Sequence, residues 1–197
     1  MLCGNCGMTA VKTRGDLCGD CNPTVSANSR FREKRMEFTL QQWASDGHIP
    51  DYTLWNKQIP DADPAACGKH RPDFTFVTDA SVIVLEYDEH QHESYTQSCE
   101  LARMSDIFLS YHGVRVTFIR YNPDAFKVDG TTLWTNRETR EGVLLDVLKT
   151  AFADEDFDHA IVIHYICYDN SASGTSNYVQ THRFTDINHY QTWASSI

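Results

Sequence analysis

At 197 residues, the chain has room for one medium domain and one very small one, and not for two cores of ordinary size. Its 41% hydrophobic and 12% aromatic content excludes a disordered chain, and no apolar run approaches the roughly 20 residues of a membrane-spanning helix. A net charge of -10 excludes a protein that coats DNA by electrostatics alone.

The opening residues MLCGNCG lack the basic-then-apolar layout of a secretory signal, so an intracellular location, in cytoplasm or nucleus, is expected. Residues 1–25 read as a zinc ribbon. Cys3-x2-Cys6 and Cys18-x2-Cys21 are separated by eleven residues, with Gly4, Gly7, Gly15 and Gly19 available for tight turns. Two such pairs can close a tetrahedral four-thiolate zinc site, favoured here over a redox dithiol because the pair is duplicated in so short a unit. So few residues cannot bury a useful core, so the metal would hold the unit together. A closed site leaves no open position for chemistry, which assigns it to structure and to docking of substrate or a protein partner. The other cysteines, Cys67, Cys99 and Cys167, are scattered and are expected to be free thiols; a second zinc site made from Cys67, His70 and Cys99 is the weaker reading.

The second domain spans 26–197. After a linker around Asn22-Pro23, a helix is expected through RFREKRMEFTLQQWA, with Met36, Leu40 and Trp43 on one face and an end near Asp46-Gly47. Residues 48–70 are broken by Pro50, Pro60 and Pro64. The run RPDFTFVTDASVIVLEYDEHQH reads as an antiparallel hairpin turning at Thr78-Asp79-Ala80. A helix follows over about Glu93 to Ser110, burying Leu101, Met104 and Phe108; then a strand, VRVTFIRY, stops at Asn122-Pro123-Asp124. Beyond a turn-rich stretch come the helix REGVLLDVLKTAF and the strand AIVIHYICY; the tail after 177 carries little pattern.

The hairpin holds the chemistry. Paired positions in an antiparallel hairpin have a constant sum, which puts Asp73 opposite residue 85 or 86. Side chains alternate faces, so Glu86 and Asp88 project to one side and Leu85 and Tyr87 to the other. Converging carboxylates repel unless a hard cation sits among them, and oxygen ligands with open water positions suit magnesium or manganese. Such an ion can activate water against a phosphodiester. The competing reading is a solvated acidic hairpin face.

Pro72-Asp73 followed by Glu86-Tyr87-Asp88, within an α-β-β-α-β order, resembles the PD-(D/E)XK nuclease superfamily. The longer string LEYDEHQHESY, CELARM and VTFIRYNPD is similar to nuclease-like proteins of large DNA viruses and, distantly, to very-short-patch repair endonucleases, over about residues 30–125. The resemblance implies a restriction-endonuclease-like α/β core, a mixed sheet of α-β-β-β-α-β type flanked by helices, in a metal-dependent DNA endonuclease, with virion association a further implied location. It implies that Asp73 and Glu86 bind the ion, with Glu37 of the first helix, or Glu33 one turn earlier, adding a carboxylate. Asp88 stands where the family usually has Lys, a departure that leaves open an inactive nuclease fold serving as a nucleic-acid- or protein-binding module. RNA is the alternative substrate.

Several flanking residues are candidates for the same chemistry. Gln91 and His92, with His90 beside them, are placed to manage water or the leaving group. Glu100 and Arg103 lie at i, i+3 and read as a local ion pair, or as an orienting acid and a phosphate contact. Arg120, in an apolar strand, should meet an acid or a phosphate. Arg30, Arg32, Lys34 and Arg35 form the dense basic cluster and are expected to contact phosphate.

Overall fold

The computed structural model describes residues 13, 16, 29–55, 59, 71–92, 97–133, 135–169 and 177–197. The four ribbon cysteines, Cys67 and His70 lie outside the described residues. Helix α1 (Ser29–Ser45) comes first, followed by β1 (Leu54–Trp55), β2 (Phe74–Val77) and β3 (Ser81–Tyr87). A short 3-10 turn over Glu89–His92 leads to α2 (Gln97–Ser110) and β4 (Arg115–Tyr121). A small hairpin, β5 (Phe126–Val128) and β6 (Thr131–Leu133), precedes α3 (Arg137–Ala153), β7 (Ile161–Ile166), β8 (Val179–Phe184) and α4 (Ile187–Ala194).

The main sheet is mixed, in the order β1-β2-β3-β4-β7-β8. β1, β2 and β3 form an antiparallel meander; β3, β4 and β7 run parallel; β8 returns antiparallel at the far edge. Between α1 and β4 the elements therefore follow an α-β-β-β-α-β order, one strand more than the residue pattern alone suggests. The extra strand is the two-residue β1, too short to carry a visible alternation. The β5–β6 hairpin is a second addition. Its turn residues, Asp129 and Gly130, sit at φ 48° and 75°, the left-handed pair a two-residue hairpin loop demands. The weakly patterned tail forms β8 and α4, with Asp186 capping the helix by accepting from His189 N–H at 2.9 Å.

Helices cover both faces. Alternation in β2 and β3 sends Phe74, Phe76, Ile83 and Leu85 to one side, where they pack with Met36 and Leu40 of α1 and Leu144 and Leu148 of α3. Val82, Val84, Val116 and Phe118 face the other side, against Leu101, Met104 and Phe108 of α2 and Tyr190 of α4. The central strands are apolar on both faces because helices bury both, as parallel strands require. Among the described residues no helix is long and apolar enough to cross a membrane.

Of the scattered cysteines, Cys167 is a free buried thiol, pushed up to about 12 by burial. Cys99, in contrast to the expectation of free thiols, is disulfide-bonded. Spacing along a chain does not report which sulfurs a fold brings together.

Candidate functional site

The turn at Thr78 sets the geometry. Thr78 N–H donates to Ser81 O at 2.9 Å, and its Oγ1 accepts from Ser81 N–H at 3.0 Å. This fixes Val77 opposite Val82 and Phe74 opposite Leu85. The same register carried one residue further puts Asp73 opposite Glu86, on the α2 side of the sheet. Asp73 Oδ2 accepts the Tyr87 N–H at 2.7 Å. Burial, and after it the charge of Glu86, push the Asp73 carboxyl well above the usual aspartate range, with Glu33 and Asp88 adding to the repulsion.

Glu86 is 5% exposed, and burial raises its carboxyl while Arg103 opposes the rise. Arg103 Nη2 lies 2.7 Å from Glu86 Oε1, near enough to pair the charges although outside the angular range of a hydrogen bond. The same nitrogen donates to the Arg71 carbonyl at 3.1 Å. Asp88 is fully buried; its Oδ2 accepts from Arg120 Nε at 2.6 Å and from the Tyr168 hydroxyl at 2.5 Å. Arg120 Nη2 reaches Glu100 Oε2 at 2.5 Å. Burial works against the Arg120 charge, but Asp88, Tyr168 and Glu100 hold it firmly protonated. Glu100 and Arg103, neighbours on α2, thus each pair with a sheet residue.

The first-helix acid that reaches Asp73 is Glu33, whose Oε1 also accepts from Trp55 Nε1 at 3.3 Å. Glu37 is taken by Tyr52, whose hydroxyl donates to it at 3.0 Å, and by Gln41. Gln91, at φ 55°, is clasped to Asp169: its Nε2 donates to Asp169 Oδ1 at 2.9 Å and its Oε1 accepts the Asp169 N–H at 2.8 Å. His90 and His92 lie in the 3-10 turn, and Arg30 in the first turn of α1; their side chains are outside what is described. Arg32 is 8% exposed and paired with Asp124 at 2.6 Å. Arg35 donates to the Tyr87 hydroxyl at 3.1 Å and reaches Glu141 at 3.5 Å. Lys34 is exposed.

Tyr168 is the participant that sequence reading did not single out; Glu100, read there as a partner of Arg103 or an orienting acid, pairs with Arg120. Tyr168 stands 80 positions from Asp88. The one available signal was Arg120 itself, an arginine in an otherwise apolar alternation that had to find carboxylates.

Among the described residues no three His, Cys, Asp or Glu side chains close into a ready-made ligand cage. Two carboxylates from neighbouring strands nevertheless suit magnesium or manganese, which keep several waters and are commonly held by one or two carboxylates plus substrate phosphate. Burial and the neighbouring Glu86 raise the Asp73 carboxyl, and a cation placed between the two acids would relieve that repulsion. Asp88 Oδ2, by contrast, is committed to Arg120 and Tyr168.

Fold and site together define a mixed α/β protein carrying a buried carboxylate–arginine network at the carboxyl ends of its central strands, where ligands of open α/β sheets commonly bind. No protein-family model, no curated protein and no solved structure matches the chain.

Proposed function

We propose that this chain is a magnesium- or manganese-dependent endonuclease of the PD-(D/E)XK type that hydrolyses phosphodiester bonds in DNA. The observation that carries the reading is the closeness of Asp73 to Glu86, which the β2–β3 register brings opposite one another when carried one residue beyond Phe74, with the Asp73 carboxyl pushed well up by burial and by Glu86. The α-β-β-β-α-β order from α1 to β4 supports it, as does the resemblance of the Pro72-Asp73 and Glu86-Tyr87-Asp88 segments to that superfamily.

Asp73 and Glu86 would hold the ion, with Glu33 the nearest further carboxylate. Bound there, a divalent cation supplies an activated water and neutralises phosphate charge. Arg103, released from Glu86, would donate to a phosphoryl oxygen. Asp88 is a positioning residue in this scheme: it anchors Arg120, which in turn orients Glu100. Cys3, Cys6, Cys18 and Cys21 would hold one structural zinc in the ribbon. Of the basic cluster, Lys34 is exposed and would contact phosphate, whereas Arg32 and Arg35 serve internal carboxylates.

The test is cleavage of supercoiled plasmid by the purified full chain with magnesium or manganese. Wild-type protein should nick or linearise it, and Asp73→Asn and Glu86→Gln should each lose at least about 100-fold in rate. One observation favours a second reading, a catalytically inactive module: Arg103 already sits on Glu86 in the place of a cation. Retention of DNA in a gel shift with no cleavage by any form, at millimolar metal, would transfer the conclusion to that module.

A further inference from the structure

The register that sets Asp73 beside Glu86 continues across the sheet. Glu86 pairs with Arg120, Arg120 with Tyr165, and Tyr165 with Gln180. All five residues lie at one level and on one face, so the acids at one end lead through Arg120 to an aromatic site at the other. From Glu86 to Tyr165 is two strand spacings, roughly 10 Å.

At that far end is a cavity of about 390 Å³, between the sheet, α2 and α4. Its walls are aromatic. Tyr165 meets Tyr168 edge-on at 5.1 Å and His182 at 5.9 Å, and His182 lies against Trp193 at 4.9 Å with the rings 39° apart. Burial lowers His182, so its ring is neutral. Of its polar lining, Glu100 is paired with Arg120, Asp169 Oδ1 accepts from Gln91 and from the Lys127 N–H, and Gln97 and Gln180 supply amides. Arg120, the one cation among the described lining residues, is shared between Asp88 and Glu100. Two acids of the lining against one arginine disfavour a phosphate or carboxylate. A flat, uncharged ring is welcome.

We propose that this cavity receives a single unstacked nucleobase from the strand whose phosphodiester lies at the Asp73–Glu86 pair. The inference rests on the nuclease reading for the origin of the strand. Stacking on aromatic side chains is sequence-tolerant, and the amides of Gln97 and Gln180 both donate and accept, so the edge of any base can be met. Unpairing is least costly in a strand already single, which makes single-stranded or distorted DNA the preferred form.

The experiment measures binding of a fluorescent dT12 strand and of an abasic strand of the same length by anisotropy, using full-length Asp73→Asn protein so that no cleavage intervenes. Two variants are added on that background: His182→Ala, which removes one wall, and Gln97→Trp, which fills the cavity from an exposed position and leaves the core alone. The expected result is tighter binding of dT12 than of the abasic strand, and a loss of about tenfold on dT12 in each variant. Equal affinity for the two strands, or unchanged affinity in the Gln97→Trp protein, overturns the proposal; if His182→Ala does not fold, Gln97→Trp decides. The two readings fail separately. Wild-type protein that prefers the base-bearing strand but cuts no plasmid sinks the nuclease and leaves the cavity, whereas cleavage without that preference sinks the cavity alone.

Discussion

A carboxylate taken out of water needs donors to replace it, and Asp73 receives a backbone N–H from Tyr87 while facing the repulsion of Glu86. Replacing it with Asn keeps an acceptor for Tyr87 and removes the repulsion. Asp73→Asn should therefore stabilise the protein by about 1 kcal/mol, raising Tm by roughly 2–4 °C for a chain of this size, while abolishing metal-dependent cleavage. Differential scanning fluorimetry beside the plasmid assay reads both effects, and a fall in Tm would show that the pair is not strained. Arg120 behaves in the opposite way. Its loss in Arg120→Leu strands Asp88 and Glu100 without their cation, and should cost about 3–5 kcal/mol in urea denaturation. At this scale Asp73, Glu86 and Asp88 were legible because a hairpin's alternation is local. Their partners were not: Arg103, Arg120 and Tyr168 arrive from other elements, and nothing in residue spacing encodes who meets whom across a sheet.

Helix α1 shows what periodicity leaves undetermined. Arg32, Met36 and Leu40 occupy one buried stripe, and Glu33, Glu37 and Gln41 the stripe beside it. The pattern finds the stripe but not the level along the axis at which it meets the strands. That level is set by Tyr52, which takes Glu37, and by Trp55, which meets Glu33. It is also why two arginines of a dense basic run turn inward to Asp124 and Glu141. Elements with long amphipathic or alternating runs were readable throughout; β1 and β6, of two and three residues, carry too few positions for a period. Helix α3 gives a test at this scale. Asn136 caps it by accepting the Thr139 N–H at 2.8 Å, so Asn136→Ala should cost about 1 kcal/mol of stability, measured by denaturant titration, with cleavage unchanged.

The whole molecule carries opposed pH dependences at different places. His164 is buried on β7 opposite Thr181 of β8, its Nδ1 2.9 Å from Thr181 Oγ1; burial, aided by Arg183, pulls it from 6.5 down to about 4. Above pH 6.5 it is neutral folded or unfolded. As pH falls from there to about 4, the unfolded chain takes up a proton that the folded one refuses, so stability drops by on the order of 3 kcal/mol. Asp154 adds loss at lower pH: burial opposes ionisation, but bonds from Arg115, the Asp156 N–H and Arg183 hold it at about 2. Asp73 and Glu86, held above their ordinary values, pull the other way, since their protonation favours the folded state. His164→Asn isolates the first term. The difference in Tm between wild type and this variant should shrink steadily from pH 6.5 to 4, and a pH-independent difference would remove His164 as the cause.

The turn at Thr78 has a consequence for how such a protein can vary over generations. Residues flanking it face one side of the sheet or the other according to a parity that the loop length sets. Exchanging Asp79 or Ala80, both exposed, leaves that parity intact. Adding or deleting a single codon there reverses it for one strand relative to the other, turning Asp73 or Glu86 toward the α1 side and its partners into the wrong layer. Descendants of this chain are thus free to drift in the identity of these loop residues and closely held in their number.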